Sequence, residues 1–249
     1  MKILIGTCGF PRRRDEIFKN LDVVEHQEIF YDLISSEKAE RYGREKPENF
    51  IYTAKAFQAI THSPNSPTWK KIKTKLIGDL SKYGFMRPTE ENLWAWNESL
   101  KIYKLMKVKI VVFQTPPSFG YSEENYRVVR DFFSIINRDD LMLAWEPRGS
   151  WNQGNNKNKL CRLLEESKII HAVDIFRNTP CEETGDILYI RLHGIGGSEV
   201  NYRYKYTDDD LKRLKEIIMR YNYREVYVLF NNVYMFDDAV RFRSLLKSQ

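Results

Sequence analysis

Ile110-Val111-Val112-Phe113-Gln114 is a short β-branched run that breaks at Thr115-Pro116-Pro117 and resumes, after Ser122-Glu123-Glu124, as Leu141-Met142-Leu143-Ala144-Trp145-Glu146. Between the runs Tyr126, Val129, Phe133 and Ile136 recur at spacings of three and four, behind a serine suited to cap a helix. Strand, turn, capped amphipathic helix and strand make one βαβ unit, the connection that parallel strands require.

The same alternation extends in both directions. Ile3 to Gly6, Asp22 to His26 and Phe50 to Lys55 precede the unit; Ile169 to Asp174, Ile187 to Leu192 and Val226 to Asn231 follow it. Thr89 before Glu90 and Glu91 opens a second patterned helix through Leu93, Trp96, Leu100 and Tyr103. Thr207 before Asp208 to Asp210 opens another through Leu211, Leu214, Ile218 and Tyr221, and the aromatics of these stripes read as core.

Eight such units in 249 residues predict an α/β fold, a single TIM-type (β/α)₈ barrel over residues 1–249. A doubly wound sheet is the alternative, but neither G-x-G-x-x-G nor G-x-x-x-x-G-K-[ST] follows the first strand. Two connections are irregular: residues 62–88 are long enough to cap the mouth, and 178–186, between strands six and seven, are too short and polar for a full helix.

Forty Lys and Arg against 34 Asp and Glu give a net charge of +6, a mild bias toward anionic partners. No stretch approaches the roughly 18 apolar residues of a membrane helix, and the apolar N-terminal run is too short for a signal peptide, so a cytoplasmic setting without membrane contact is expected. Cys8, Cys161 and Cys181 are odd in number, widely spaced and without a C-x-x-C pair, which predicts free thiols.

In such a barrel the reactive groups come from strand C-termini. Here those ends carry Cys8, Glu25, Gln27, Lys55, Gln114, Glu146, Arg148, Asp174, Arg191, His193, Asn231 and Asn232. Side chains alternate along a strand, so Glu25 with Gln27, Glu146 with Arg148 and Arg191 with His193 each share a face and converge on the mouth if the first member points inward. A buried Glu146–Arg191 ion pair without a ligand is the plainer alternative.

Ile5-Gly6-Thr7-Cys8-Gly9-Phe10, Val24-Glu25, Ala54-Lys55 with Ile60-Thr61-His62, Phe113-Gln114-Thr115-Pro116-Pro117-Ser118-Phe119, Glu146-Pro147-Arg148-Gly149-Ser150-Trp151, Tyr189-Ile190-Arg191-Leu192-His193-Gly194 and Phe230-Asn231-Asn232 together resemble the YecE-like family, domain of unknown function 72. The resemblance spans nearly the whole chain. It implies a TIM barrel similar to those of the xylose isomerase and endonuclease IV superfamily, where metal-assisted phosphodiester cleavage occurs. Cys8 and Gln27 stand where the family usually has Ser and Asn, and Pro147 and Gly149 alter the usual setting of Arg148.

The chemistry expected is hydrolysis of a phosphate-bearing substrate, DNA or RNA among the candidates. Glu25, Glu146, Asp174 and His193 are the candidate catalytic groups, and the carboxylates could instead hold a divalent metal ion. Lys55, His62, Gln114, Arg148, Trp151, Arg191, Gly196, Gly197 and Asn231 are the candidate substrate contacts. The backbone N–H groups of Gly194-Ile195-Gly196-Gly197-Ser198 could cradle an anion, although a ligand-free turn has the same composition. Arg12 to Arg14 and Lys70 to Lys75 could track a nucleic-acid backbone, with Trp69 and Trp151 as stacking surfaces; solvated basic runs are the plainer reading. A non-catalytic module for an anionic metabolite or a protein partner, and glycoside hydrolysis by Glu25 and Glu146, are the other readings.

Overall fold

A computed structural model describes residues 1–197 and 199–247. Strands β1 (Lys2–Cys8), β2 (Val23–His26), β3 (Ile51–Lys55), β4 (Val108–Gln114), β5 (Met142–Glu146), β6 (Ile170–Val173), β7 (Ile187–Leu192) and β8 (Glu225–Phe230) close into one parallel barrel in sequence order, β8 pairing with β1. Outside it run helices α1 (Arg14–Asn20), α2 (Glu28–Tyr31), α3 (Ser36–Glu45), α4 (Gln58–Thr61), α5 (Glu90–Leu105), α6 (Glu123–Ile135), α7 (Asn156–Ser167), α8 (Asp208–Ile218) and α9 (Met235–Lys247). No helix among the described residues is long and apolar enough to cross a membrane.

The caps read from the sequence start the helices. Thr89, Ser122 and Thr207 each accept a backbone N–H three residues on, and Thr207 with Asp210 completes a capping box on α8. Between β6 and β7 a single 3-10 turn, Glu182–Thr184, replaces the helix, as the polar composition implied. The connection after His62 forms a rim rather than a roof. Asp32 receives the backbone and hydroxyl of Thr74, Phe85 stacks on Phe119, and none of the described residues of this segment, His62 included, lines either cavity of the mouth.

Alternation sorts the strands into two cores. Phe113, Trp145, Ile190 and Val228 face the helices, while Leu4, Val23, Ile110, Val112, Ala144, Ala172, Tyr189 and Leu229 fill the barrel. Gly6 belongs to the inward series, where a Cβ would meet the Val23 carbonyl oxygen at 1.9 Å, so only glycine lets β1 and β2 approach there. At the N-terminal end Lys109 bonds Glu225 and the Tyr227 hydroxyl; the Tyr227 ring stacks on Tyr189, whose hydroxyl reaches Thr53 and Glu25.

The cysteines correct the expectation of free thiols. Cys161 of α7 and Cys181, immediately before the 3-10 turn between β6 and β7, form a disulfide with Cα atoms 5.2 Å apart, while Cys8 is free and buried. Twenty residues separate the pair in sequence, and the return of the chain through β6 brings them together, which no spacing rule reveals.

Candidate functional site

Inward parity carries Cys8, Glu25, Lys55, Gln114, Glu146, Asp174, Arg191, His193 and Asn231 to the C-terminal end of the barrel. At the centre Arg191, fully enclosed, donates to Glu25 at 2.8 Å and to Glu146. Glu25, also enclosed, further accepts from Gln27 and from the Tyr189 hydroxyl at 2.9 Å. Glu146 passes its other oxygen to Arg148 at 3.0 Å, and Arg148 reaches Nε2 of His193 at 3.2 Å. Asp174 receives the His193 backbone N–H at 3.0 Å and faces its Nδ1 at 3.5 Å, so carboxylate, imidazole and guanidinium form a chain from β6 to β5.

Charge follows from this wiring. Burial would raise the Glu146 carboxyl, but Arg191, His193 and Arg148 outweigh it and hold it below the ordinary carboxylate range. The Cys8 thiol is pushed up by burial and by the Glu25 charge. Lys55 behaves differently. Burial and the neighbouring Arg191 charge lower its amine to about 7, and its Nζ rests 3.7 Å above the Phe30 ring. Arg148, Arg177 and Arg191 each pair with a carboxylate; Lys55 pairs with none among the described residues.

Two cavities open at the mouth. One, of about 230 Å³, lies over β5 to β7 and is bounded by Glu146, Arg148, Asp174, Arg177 and His193. The other, of about 390 Å³, reaches from Lys55 and Gln114 across Cys8 and Gln27 to Asn231, Asn232 and Tyr202. His62 stands behind Lys55, its Nδ1 bonded to the Thr61 hydroxyl and its ring packed on Phe30.

Several expected ligand contacts are placed elsewhere. Arg191 offers no surface to a ligand, and Trp151 is enclosed with its indole N–H on the Phe119 carbonyl. In the glycine turn after β7 it is the carbonyls that are engaged. Positive φ angles at Gly194, Gly196 and Gly197 turn it around Arg177, which donates at 2.7 Å to the carbonyl oxygens of Gly194 and Gly196, while the Gly194 N–H is taken by Tyr206. Ser198 lies outside the described residues. Of the basic runs, Arg12, Arg13 and Arg14 pair with Asp237, Asp15 and Glu45, and the lysines of the 70–75 run are exposed. The indole N–H of Trp69 is on the His62 carbonyl.

Among the described residues no three His, Cys, Asp or Glu side chains are grouped to hold a metal ion. The carboxylates that could have done so are turned onto Arg191, Arg148 and Arg177. Two participants were not singled out from the sequence. Arg177, three residues after Asp174, had the spacing of a turn ion pair as its signal; Tyr202 lies in an irregular loop that has none.

Comparison with known proteins agrees with this geometry at the level of fold and family. A family model described as "Protein of unknown function DUF72" matches residues 13–249. UPF0759 protein YunF of Bacillus subtilis (strain 168) is 25% identical over 238 residues, covering 84% of this chain and 77% of that protein. A crystal structure of a DUF72 family protein from Enterococcus faecalis V583 superposes with a TM-score of 0.76 at 21% identity, covering 100% of this chain and 98% of that one. Endonuclease IV from Thermus thermophilus superposes at 0.55 with 12% identity, over 100% and 98% of the two chains, a likeness of fold.

Proposed function

The chain belongs to the DUF72 family of proteins of unknown function, and from that premise we propose that its barrel mouth binds a small phosphate-bearing substrate and hydrolyses it. One observation carries the reading. Lys55 is a half-buried amine whose protonated form has no carboxylate partner among the described residues, at the edge of a cavity otherwise lined by neutral groups such as Gln114 and Asn231. Buried charges are normally paired, and a bound anion would supply the missing partner.

The adjoining cavity offers the acid–base group. His193, oriented by Asp174 and beside Arg148, is arranged to move a proton while the guanidinium meets developing negative charge. Glu25 and Glu146 serve to hold Arg191. A carboxyl kept ionised by two guanidinium groups is a poor general acid, which weakens the support for glycoside hydrolysis. Nucleic acid draws little support, since the arginine run is internally paired and Trp151 is enclosed.

A purely binding role is the second reading, favoured by one fact: among the described residues no carboxylate or imidazole lines the cavity that holds Lys55. Calorimetric titration with inorganic phosphate, and turnover of p-nitrophenyl phosphate, separate the two. Phosphate binding lost in Lys55→Met supports the anion site, and turnover lost in His193→Ala with binding retained supports hydrolysis. Equal phosphate affinity in wild type and Lys55→Met would overturn the proposal.

A further inference from the structure

We infer that the ligand is a phosphate monoester carrying one planar ring, with its phosphate on Lys55 and its ring against Tyr202 and Val233. The inference rests on the anion site proposed above, taken in its binding rather than its hydrolytic form because His193 neighbours the ring end and not Lys55, and adds what the other end of the cavity shows. Tyr202 follows β7 and is 46% exposed, and Val233 follows β8 and is 65% exposed. Both line the cavity that begins at Lys55 on β3, so they face the amine from the far side of the mouth.

The two form one ledge. The Val233 N–H donates to the Tyr202 carbonyl oxygen at 2.7 Å, tying the β7 and β8 loops together, and the Tyr202 ring lies 6.2 Å from the His193 ring. Scattered exposed apolar residues need no explanation, but an exposed aromatic and an exposed aliphatic braced together on a cavity wall have the form of a binding surface. The rest of the lining includes Gln27, Gln114 and Asn231, amide side chains that suit the edge of a heterocycle or sugar hydroxyls.

Size limits the occupant. A cavity of about 390 Å³ suits a ring and a phosphate. A polymer would need a continuing cationic track with stacking platforms, whereas Trp151 is enclosed and neither Trp69 nor the lysines of the 70–75 run line the two cavities. A nucleoside monophosphate, or a simpler aryl phosphate, meets both ends of the site.

Calorimetric titration of the intact protein with glycerol 3-phosphate, phenyl phosphate, adenosine 5′-monophosphate and uridine 5′-monophosphate tests this. At least one ring-bearing ester should bind about tenfold tighter than glycerol phosphate, the scale of a single aromatic stacking contact. In Tyr202→Ala/Val233→Ser, with its near-ultraviolet dichroism checked for folding, that preference should vanish. Glycerol phosphate binding that depends on Lys55, with no gain from any ring, would overturn the inference and leave the anion site standing. No binding of any of the four esters, or of inorganic phosphate, would overturn both.

Discussion

Arg191 and Glu146 meet inside the barrel, joining β7 to β5, and the same guanidinium holds Glu25 of β2. The triad supports everything above it, since Glu146 positions Arg148 and Arg191 sets the positive field felt by Lys55.

Removing the shared cation should therefore be costly. Arg191→Met leaves the enclosed Glu25 with no cation and Glu146 with Arg148 alone among the guanidinium partners, and should lower stability by about 3–5 kcal/mol, as for other broken buried pairs. Arg191→Lys should rescue only a fraction, because one ammonium cannot reproduce the fork that reaches both partners. Urea denaturation of the three proteins checks this, and a lysine variant as stable as wild type would contradict it.

Acid should weaken the fold before the carboxylates are protonated. His26, packed among Phe10, Tyr42 and Tyr52, and His62, packed on Phe30, are held by burial and nearby cations at about 3, against about 6.5 in an unfolded chain. Below pH 6.5 the unfolded state thus binds more protons than the folded one, and stability falls as pH falls, by about 2 kcal/mol per histidine at pH 5. Urea midpoints at pH 7.5 and 5.0 read the loss, and His26→Phe should reduce it.

Much of this was legible in the sequence because a barrel strand repeats every second residue. Glu25, Lys55, Gln114, Glu146, Arg191 and Asn231 are inward by the same parity that makes Ile110 and Val112 inward, so naming the strand ends named the mouth. Parity says which face a side chain occupies, not whether water reaches it. Arg191 and Trp151 looked like ligand contacts and are enclosed, because enclosure depends on loops packed from elsewhere in the chain. The turn at Gly194 to Gly197 had a composition suited to cradling an anion, yet its carbonyls close on Arg177, a choice made by one long side chain from the preceding loop.

The disulfide makes a simple chemical prediction. Of three cysteines only Cys8 is free, so denatured, unreduced protein should take up one alkyl group and reduced protein three. Breaking the link with Cys161→Ser should cost about 3 kcal/mol, the scale for a loop of this length. Three alkylations without reductant would show that the pair is not joined in solution.

Binding of phosphate should lose strength above neutral pH for a reason specific to Lys55. Its amine is half protonated at about 7 in the free protein, so raising the pH discharges the group proposed to hold the anion. A phosphate monoester is already a dianion above about pH 7, its second pKa being about 6, so the ligand contributes no further change there. The affinity of glycerol phosphate should then fall by about tenfold per pH unit above the lysine pKa, and binding at pH 8 should take up protons from the buffer. Titrations in buffers of differing ionisation enthalpy report that uptake. Lys55→Arg, charged throughout this range, should bind without the pH dependence, and Lys55→Met should bind weakly at every pH. A wild-type affinity that stays level from pH 7.5 to 9.5 would place the phosphate away from Lys55.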